Sequence, residues 1–283
     1  MLPRGGTGRR PSGVPVTVRL FVPAPLQADT EISLPAGAAR HAQVRRVQPG
    51  DALRLFDGHG SDWPAVVLAM GRSDVRVHVG LPMPVDNELP APVTLALGMP
   101  ANERMDALVE KATELGVACI QPLLTTRSVL RLAGDRARRK QAHWQAIAEA
   151  ACEQCGRARV PVVAPVRELA AWLPGASAGT RLVLSMQPGA ATLPALALAL
   201  AQPLAHSLAQ PSALPSAHSL PHSSTQAGGI GITTLSGPEG GLTPDEEAAA
   251  VRAGFLPTAL GPRVLRADTA PLAVLAWLGL QAR

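Results

Sequence analysis

The sequence contains no tyrosine, three phenylalanines and four tryptophans in 283 residues. That scarcity argues against recognition of single-stranded RNA on a platform of stacked rings. Lysine is almost missing too. Of 26 basic residues, 24 are arginine, and only Lys111 and Lys140 are lysine. Arginine brings a planar fork suited to phosphates and base edges. Three cysteines, an odd number, give no disulfide framework and suit a reducing compartment. Cys152 and Cys155 form a CxxC, but no second pair completes a zinc site. They read as packed thiols on a helix, and no metal is expected. The first residues place Arg4, Arg9 and Arg10 among Gly and Pro without an apolar core, unlike a secretory signal. Residues 182–238 carry no formal charge, yet their apolar run, Leu193 to Ala201, falls short of the ~20 residues that span a bilayer. A cytoplasmic protein without a membrane partner is expected.

Apolar residues make up 47% of the chain and charged residues 17%, enough to bury a sizeable core and exclude a wholly disordered chain. The net charge is +5, a hint of a polyanionic partner. The charge is uneven: net +2 over residues 1–90, +4 over 91–189 and −1 over 190–283. A basic face must come mainly from the first two thirds.

Residues 1–17 read as a disordered extension. Residues 18–88 read as a small all-β unit, a barrel: Val16–Val22, Ala52–Phe56, Trp63–Met70 and Val75–Val79 are strands, and Asp57-Gly58 with His59-Gly60 signals a hairpin. Pro82, Pro84, Pro90 and Pro92 mark a stiff linker. From Val93 strand and helix alternate, which predicts an α/β domain with a largely parallel sheet over 92–283. Its strands are Val93–Leu97, Ile120–Leu124, Val160–Val163, Arg181–Ser185, Ile230–Leu235 and Pro257–Leu260. Its helices are Glu103–Leu115 capped by Asn102, Asp135–Cys155, one opened by Thr243-Pro244-Asp245-Glu246, and Ala270–Gln281. Residues 190–228 read as a low-complexity insert. Its His206, His218 and His222 lie in a Pro-broken setting that does not suit a metal site.

Two segments carry chemistry. Ser236-Gly237-Pro238-Glu239-Gly240-Gly241-Leu242 lies between an apolar strand and a helix, where glycine lets backbone approach a ligand and helix N–H groups are free. It is neither a Walker loop nor a dinucleotide fingerprint. It also reads as a plain tight turn with a surface Glu. Leu260-Gly261-Pro262-Arg263-Val264-Leu265-Arg266-Ala267-Asp268 places two guanidiniums and a carboxylate at a strand-to-helix junction. Such a group can hold a phosphate or stabilise an oxyanion. It can equally be an Arg–Asp pair capping the last helix.

These two segments, in this order near the C-terminus, resemble the SPOUT superfamily of knotted methyltransferases, and specifically the bacterial 16S ribosomal RNA uridine-N3 methyltransferase family. Further stretches carry the resemblance: Arg19-Leu20-Phe21-Val22, Val44-Arg45-Arg46-Val47-Gln48-Pro49-Gly50-Asp51, Leu55-Phe56-Asp57-Gly58, Glu110-Lys111-Ala112-Thr113-Glu114-Leu115-Gly116-Val117, Thr126-Arg127-Ser128 and Ala151-Cys152-Glu153-Gln154-Cys155-Gly156-Arg157. Asp268 stands where the family usually has Glu, one methylene longer.

The resemblance implies an N-terminal PUA-like RNA-binding β-barrel and a C-terminal trefoil-knotted domain that binds S-adenosylmethionine and works as a homodimer. It implies methylation of uridine N3 in 16S ribosomal RNA, at uridine 1498, on the 30S subunit. The cofactor would lie against Leu184, Ser185, Gly237, Pro238, Glu239, Gly240, Leu260, Gly261, Val264 and Leu265. Arg266 or Arg263 would stabilise charge on the uracil, and Glu239 or Asp268 would take the proton. RNA would dock on Arg19, His41, Arg45, Arg46 and Arg127. Other readings are a knotted methyltransferase with another base or ribose target, and a non-catalytic RNA-binding protein.

Overall fold

The structure, a computed structural model, describes residues 18–71, 74–176, 179–195 and 231–281. The N-terminal extension, most of the insert and its three histidines lie outside the described residues. The chain divides into two compact units, Met1–Val85 and Asp86–Arg283.

The first unit is built on β1 (Val18–Phe21), β2 (Thr30–Ser33), β3 (Ala52–Phe56), β4 (Ser61–Met70), β5 (Val75–Val79) and β6 (Met83–Pro84), with one helix, α1 (Ala36–Val44). The strand path is β1-β3-β4-β5-β2, with β6 paired to β4. Alternation sends Leu20, Leu53, Leu55, Val75, Val77 and Val79 into one core. Sequence periodicity predicted an all-β barrel here, and two features differ. Among the described residues no ladder joins β2 to β1, so the sheet path is open. Helix α1 joins the core through Ala38, Ala39 and Ala42. Three small alanines make a weak periodic signal, which is why the helix escapes a reading by pattern. Half of the proline linker also belongs to this sheet, since Met83 pairs with Asp62.

The second unit is a parallel sheet. Its strands are β7 (Val93–Gly98), β8 (Cys119–Leu124), β9 (Val162–Val163), β10 (Arg167–Glu168), β11 (Thr180–Leu184), β12 (Ala191–Thr192), β13 (Ile232–Ser236) and β14 (Leu256–Ala259). Its helices are α2 (Asn102–Glu114), α3 (Gly134–Cys155), α4 (Leu169–Trp172), α5 (Pro244–Arg252) and α6 (Thr269–Gln281). The order is β10-β8-β7-β13-β11-β14-β12, with β9 paired to β8. Both faces are covered. Leu95 and Leu97 of β7 pack with Met105, Leu108, Trp144 and Leu275 of the helices on one side. Ala96, between them, packs with Trp172, Val183, Leu235 and Phe255 on the other. Burial on both faces explains the continuous apolar runs read in the sequence.

Some boundaries differ from the sequence reading. The N-cap of α2 is Ala101, one residue before Asn102. The first residues of the expected insert belong to the fold: Ala191 and Thr192 pair with Thr258 and Ala259, and Leu193 packs with Leu182 and Val274. Cys152 is buried in α3, and its hydrogen bond with Cys155, together with burial, holds its thiol well above the usual range. Burial also raises the Cys119 thiol. Among the described residues no helix is long and apolar enough to cross a membrane.

Candidate active site

Three adjacent parallel strands, β13, β11 and β14, deliver the segments that make one cleft. Parallel strands end at a common edge, and ligands of α/β sheets bind at the carboxyl edge. Past β11 come Leu184, Ser185 and Met186; past β13 comes Ser236 to Gly241; past β14 comes Leu260 to Ala270. Residues of all three line a cleft of ≈ 530 Å³. That volume suits a small-molecule site.

The glycine segment is packed too tightly for side chains. A Cβ on Gly237 would lie 2.5 Å from the Leu242 nitrogen, and one on Gly98 at the end of β7 would lie 2.6 Å from Pro238 Cδ. The turn is closed by Gly241 N–H donating to the Pro238 carbonyl at 2.8 Å. It runs straight into α5, whose N-cap Thr243 and Glu246 form a reciprocal capping box.

The loop after β8 braces this turn from outside. Arg127 donates one guanidinium nitrogen to the carbonyls of Gly240 (2.8 Å) and Leu242 (3.2 Å). Its stem leaves only 3.2 Å for a Cβ on Gly240. The Thr126 N–H donates to Glu246 Oε1 at 2.7 Å, and the Thr243 N–H to Oε2 at 2.8 Å. Burial opposes the charged form of Glu246, but the Thr243 and Thr126 donors outweigh it and hold the carboxyl below its usual range.

Most of the expected cofactor residues come together here. Leu184, Ser185, Gly237, Pro238, Glu239, Gly240, Leu260, Val264 and Leu265 all line the cleft; Gly261 does not. Arg263 and Arg266 line it too, are exposed, and have no carboxylate partner among the described residues. The alternative of an Arg–Asp cap on α6 therefore finds no support. The two expected carboxylates differ. Glu239 lines the cleft, and its Oε1 accepts from the Ala101 N–H and from Arg104, each at 3.1 Å. Asp268 does not line the cleft, and its Oδ1 is buried without a hydrogen-bond partner among the described residues. Ser236 lines the cleft with a buried hydroxyl that also lacks a partner among them.

Sequence reasoning missed Arg104, Met186 and Thr258, and quoted Ser236 in the glycine segment without giving it a role. Arg104 lies on a helix, and nothing local points to a partner 135 positions away. Met186 and Thr258 lie at strand ends, where neither residue type signals a ligand.

Two of the expected RNA contacts are otherwise engaged. Arg19 sits 3.8 Å over the Phe56 ring and donates to Asp62 at 2.8 and 3.0 Å, with its side chain 10% exposed. Arg127 is taken up by the glycine segment. Arg45 and Arg46 are exposed at the end of α1, and His41 in its last turn is half-buried.

Comparisons with known proteins agree with this geometry. Residues 87–279 match the family model of the RNA methyltransferase domain, and residues 34–79 that of the RNA methyltransferase PUA domain. Ribosomal RNA small subunit methyltransferase E of Synechocystis sp. is 31% identical over 261 residues, 91% of this chain and 76% of that protein. The Mycobacterium bovis protein of the same name is 33% identical over 239 residues, 84% of this chain and 82% of its own. The Neisseria gonorrhoeae ribosomal RNA small subunit methyltransferase E, crystallised with S-adenosyl methionine, superposes with a TM-score of 0.77 at 30% identity, covering 94% of this chain and 98% of that one. An α/β domain of SPOUT type follows a PUA-like unit, and the chain belongs to the ribosomal RNA small subunit methyltransferase E family.

Proposed function

We propose that the protein transfers a methyl group from S-adenosylmethionine to N3 of a uridine in 16S ribosomal RNA, uridine 1498, with the assembled 30S subunit as substrate. The observation that carries this reading is the cleft, closed by a glycine turn and edged by two arginines without a carboxylate partner among the described residues. Its residues fit the cofactor. Leu184, Met186, Leu260 and Leu265 offer apolar walls for a flat heterocycle. The unpartnered Ser236 hydroxyl and the backbone of the glycine turn offer hydrogen bonds to its edge. When bound, the cofactor supplies an electrophilic methyl on a sulfonium.

Positioning supplies much of the rate of such a displacement. Loss of the N3 proton spreads negative charge onto O2 and O4 of uracil, and Arg266, with Arg263 beside it, stabilises that charge. Glu239 is fixed by Arg104 and Ala101 and anchors the turn. The proton goes to one of two carboxylates, Glu239 at the cleft or Asp268 behind its wall. A trefoil-knotted, homodimeric arrangement belongs to the same reading. The dimer is supported by apolar groups left in water around the cleft, Val264 at 84% and Met186 at 57% exposed. Arg45, Arg46 and His41 remain the barrel's RNA-binding set.

The test is incubation with labelled S-adenosylmethionine and unmodified 30S subunits, followed by digestion and nucleoside analysis. Label in 3-methyluridine is expected. Label in another nucleoside replaces the target, and no label with intact cofactor binding contradicts the substrate.

A further inference from the structure

Helix α3 is strongly basic over its first two turns. Its first residues, Gly134-Asp135-Arg136-Ala137-Arg138-Arg139-Lys140, hold four cations and one acid. The N-terminal end of a helix carries partial positive charge, so acids stabilise it and cations weaken it. Helix α5 has the favourable arrangement, with Asp245, Glu246 and Glu247 in its first turn. In α3 the single acid is taken by Arg138. Arg136, Arg139, Lys140 and His143, at helical spacing on one face, line a recess of ≈ 380 Å³. Arg136, Arg139 and Lys140 have no carboxylate partner among the described residues. Unpaired cations gathered on one helix face form an anion site.

β8, β7 and β13 are parallel, so the loop that leads from β8 into α3 leaves the sheet at the edge where the glycine turn sits. His143 is held from α2, where Asp106 bonds His143 Nε2 and Trp144 Nε1, each at 2.9 Å.

We propose that the Arg136, Arg139 and Lys140 face of α3 binds the phosphate backbone of the RNA substrate. The inference rests on the RNA methyltransferase reading of the cleft.

The test titrates the full-length protein against a fluorescein-labelled fragment of unmodified small-subunit ribosomal RNA over a range of KCl concentrations. The triple variant Arg136→Gln, Arg139→Gln, Lys140→Gln is compared with wild type. Removing three phosphate contacts should lower the slope of log affinity against log salt by about two and weaken binding roughly tenfold or more. Cofactor affinity should stay unchanged, and the melting temperature should hold or rise. Arg138→Gln, whose guanidinium is already paired, should change the slope less than any of the three. A triple variant with wild-type slope and affinity overturns the inference. So does an RNA defect matched by lost cofactor affinity or a lower melting temperature, which would assign the cations to the fold. Wild type that binds cofactor but no RNA would instead overturn the RNA reading itself.

Discussion

Arginine does two kinds of work in this chain, and the contrast separates scaffold from site. Arg157 is 4% exposed, forks onto Glu88 and donates to the Thr113 carbonyl at 2.8 Å. Arg19 is likewise enclosed against Asp62 and Phe56. Arg263 and Arg266 stand at the cleft with no carboxylate partner among the described residues. A buried guanidinium must be fully satisfied, because desolvation exceeds what a lone charge regains. An exposed one can stay unpaired at little cost, and its donors are then available to a ligand. Residue type alone does not distinguish the two, whereas burial and partnership do.

The contrast sharpens most at Arg157. Arg157→Ala leaves the Thr113 carbonyl without that donor and the partly exposed Glu88 without its partner, and should cost about 2–3 kcal/mol of unfolding free energy. Urea denaturation measures it; a loss under about 1 kcal/mol would make Arg157 another surface arginine. Arg127 is intermediate, exposed yet spent on two carbonyls of the glycine turn. Arg127→Ala should weaken cofactor binding about five- to tenfold, the equivalent of one net hydrogen bond, with little change in melting temperature. Calorimetric titration reads the first and a thermal melt the second. An unchanged affinity would return Arg127 to the RNA-binding set. Thr243→Ala, which removes half of the capping box on α5, should cost about 1 kcal/mol.

The smallest effect concerns Glu246, whose carboxyl lies below its usual range when folded. A lowered folded pKa stabilises the fold fully above the unfolded value, about 4.3. That stability is lost as pH falls through the folded value. Comparing wild type with Glu246→Gln by denaturation across pH should show a gap that is full near neutrality and closes in acid. A gap that widens in acid would contradict the donors named here.

Much of the catalytic unit was legible from the chain. The alternation from Val93, the glycine segment and the Arg263–Asp268 segment all fall where the reading put them, because long apolar strands and glycine turns leave strong local signals. Three things were not legible. Helix α1 buries alanines, whose periodicity is faint. The two-residue strands β9, β10 and β12 depend on a neighbouring ladder and not on their own sequence. The fates of Arg19, Arg104 and Arg127 depend on partners 43, 135 and 113 positions away. Long-range pairing is a property of the packed molecule, so a motif shows which residues gather but not which remain unspent.

The most direct test of that distinction is Arg266→Ala, with kcat on unmodified 30S subunits and cofactor Kd measured on the same preparation. If the unpaired guanidinium serves the transition state, kcat should fall roughly 10²-fold or more while Kd stays within about a factor of three. An equal loss of both, or a kcat near wild type, would contradict the account.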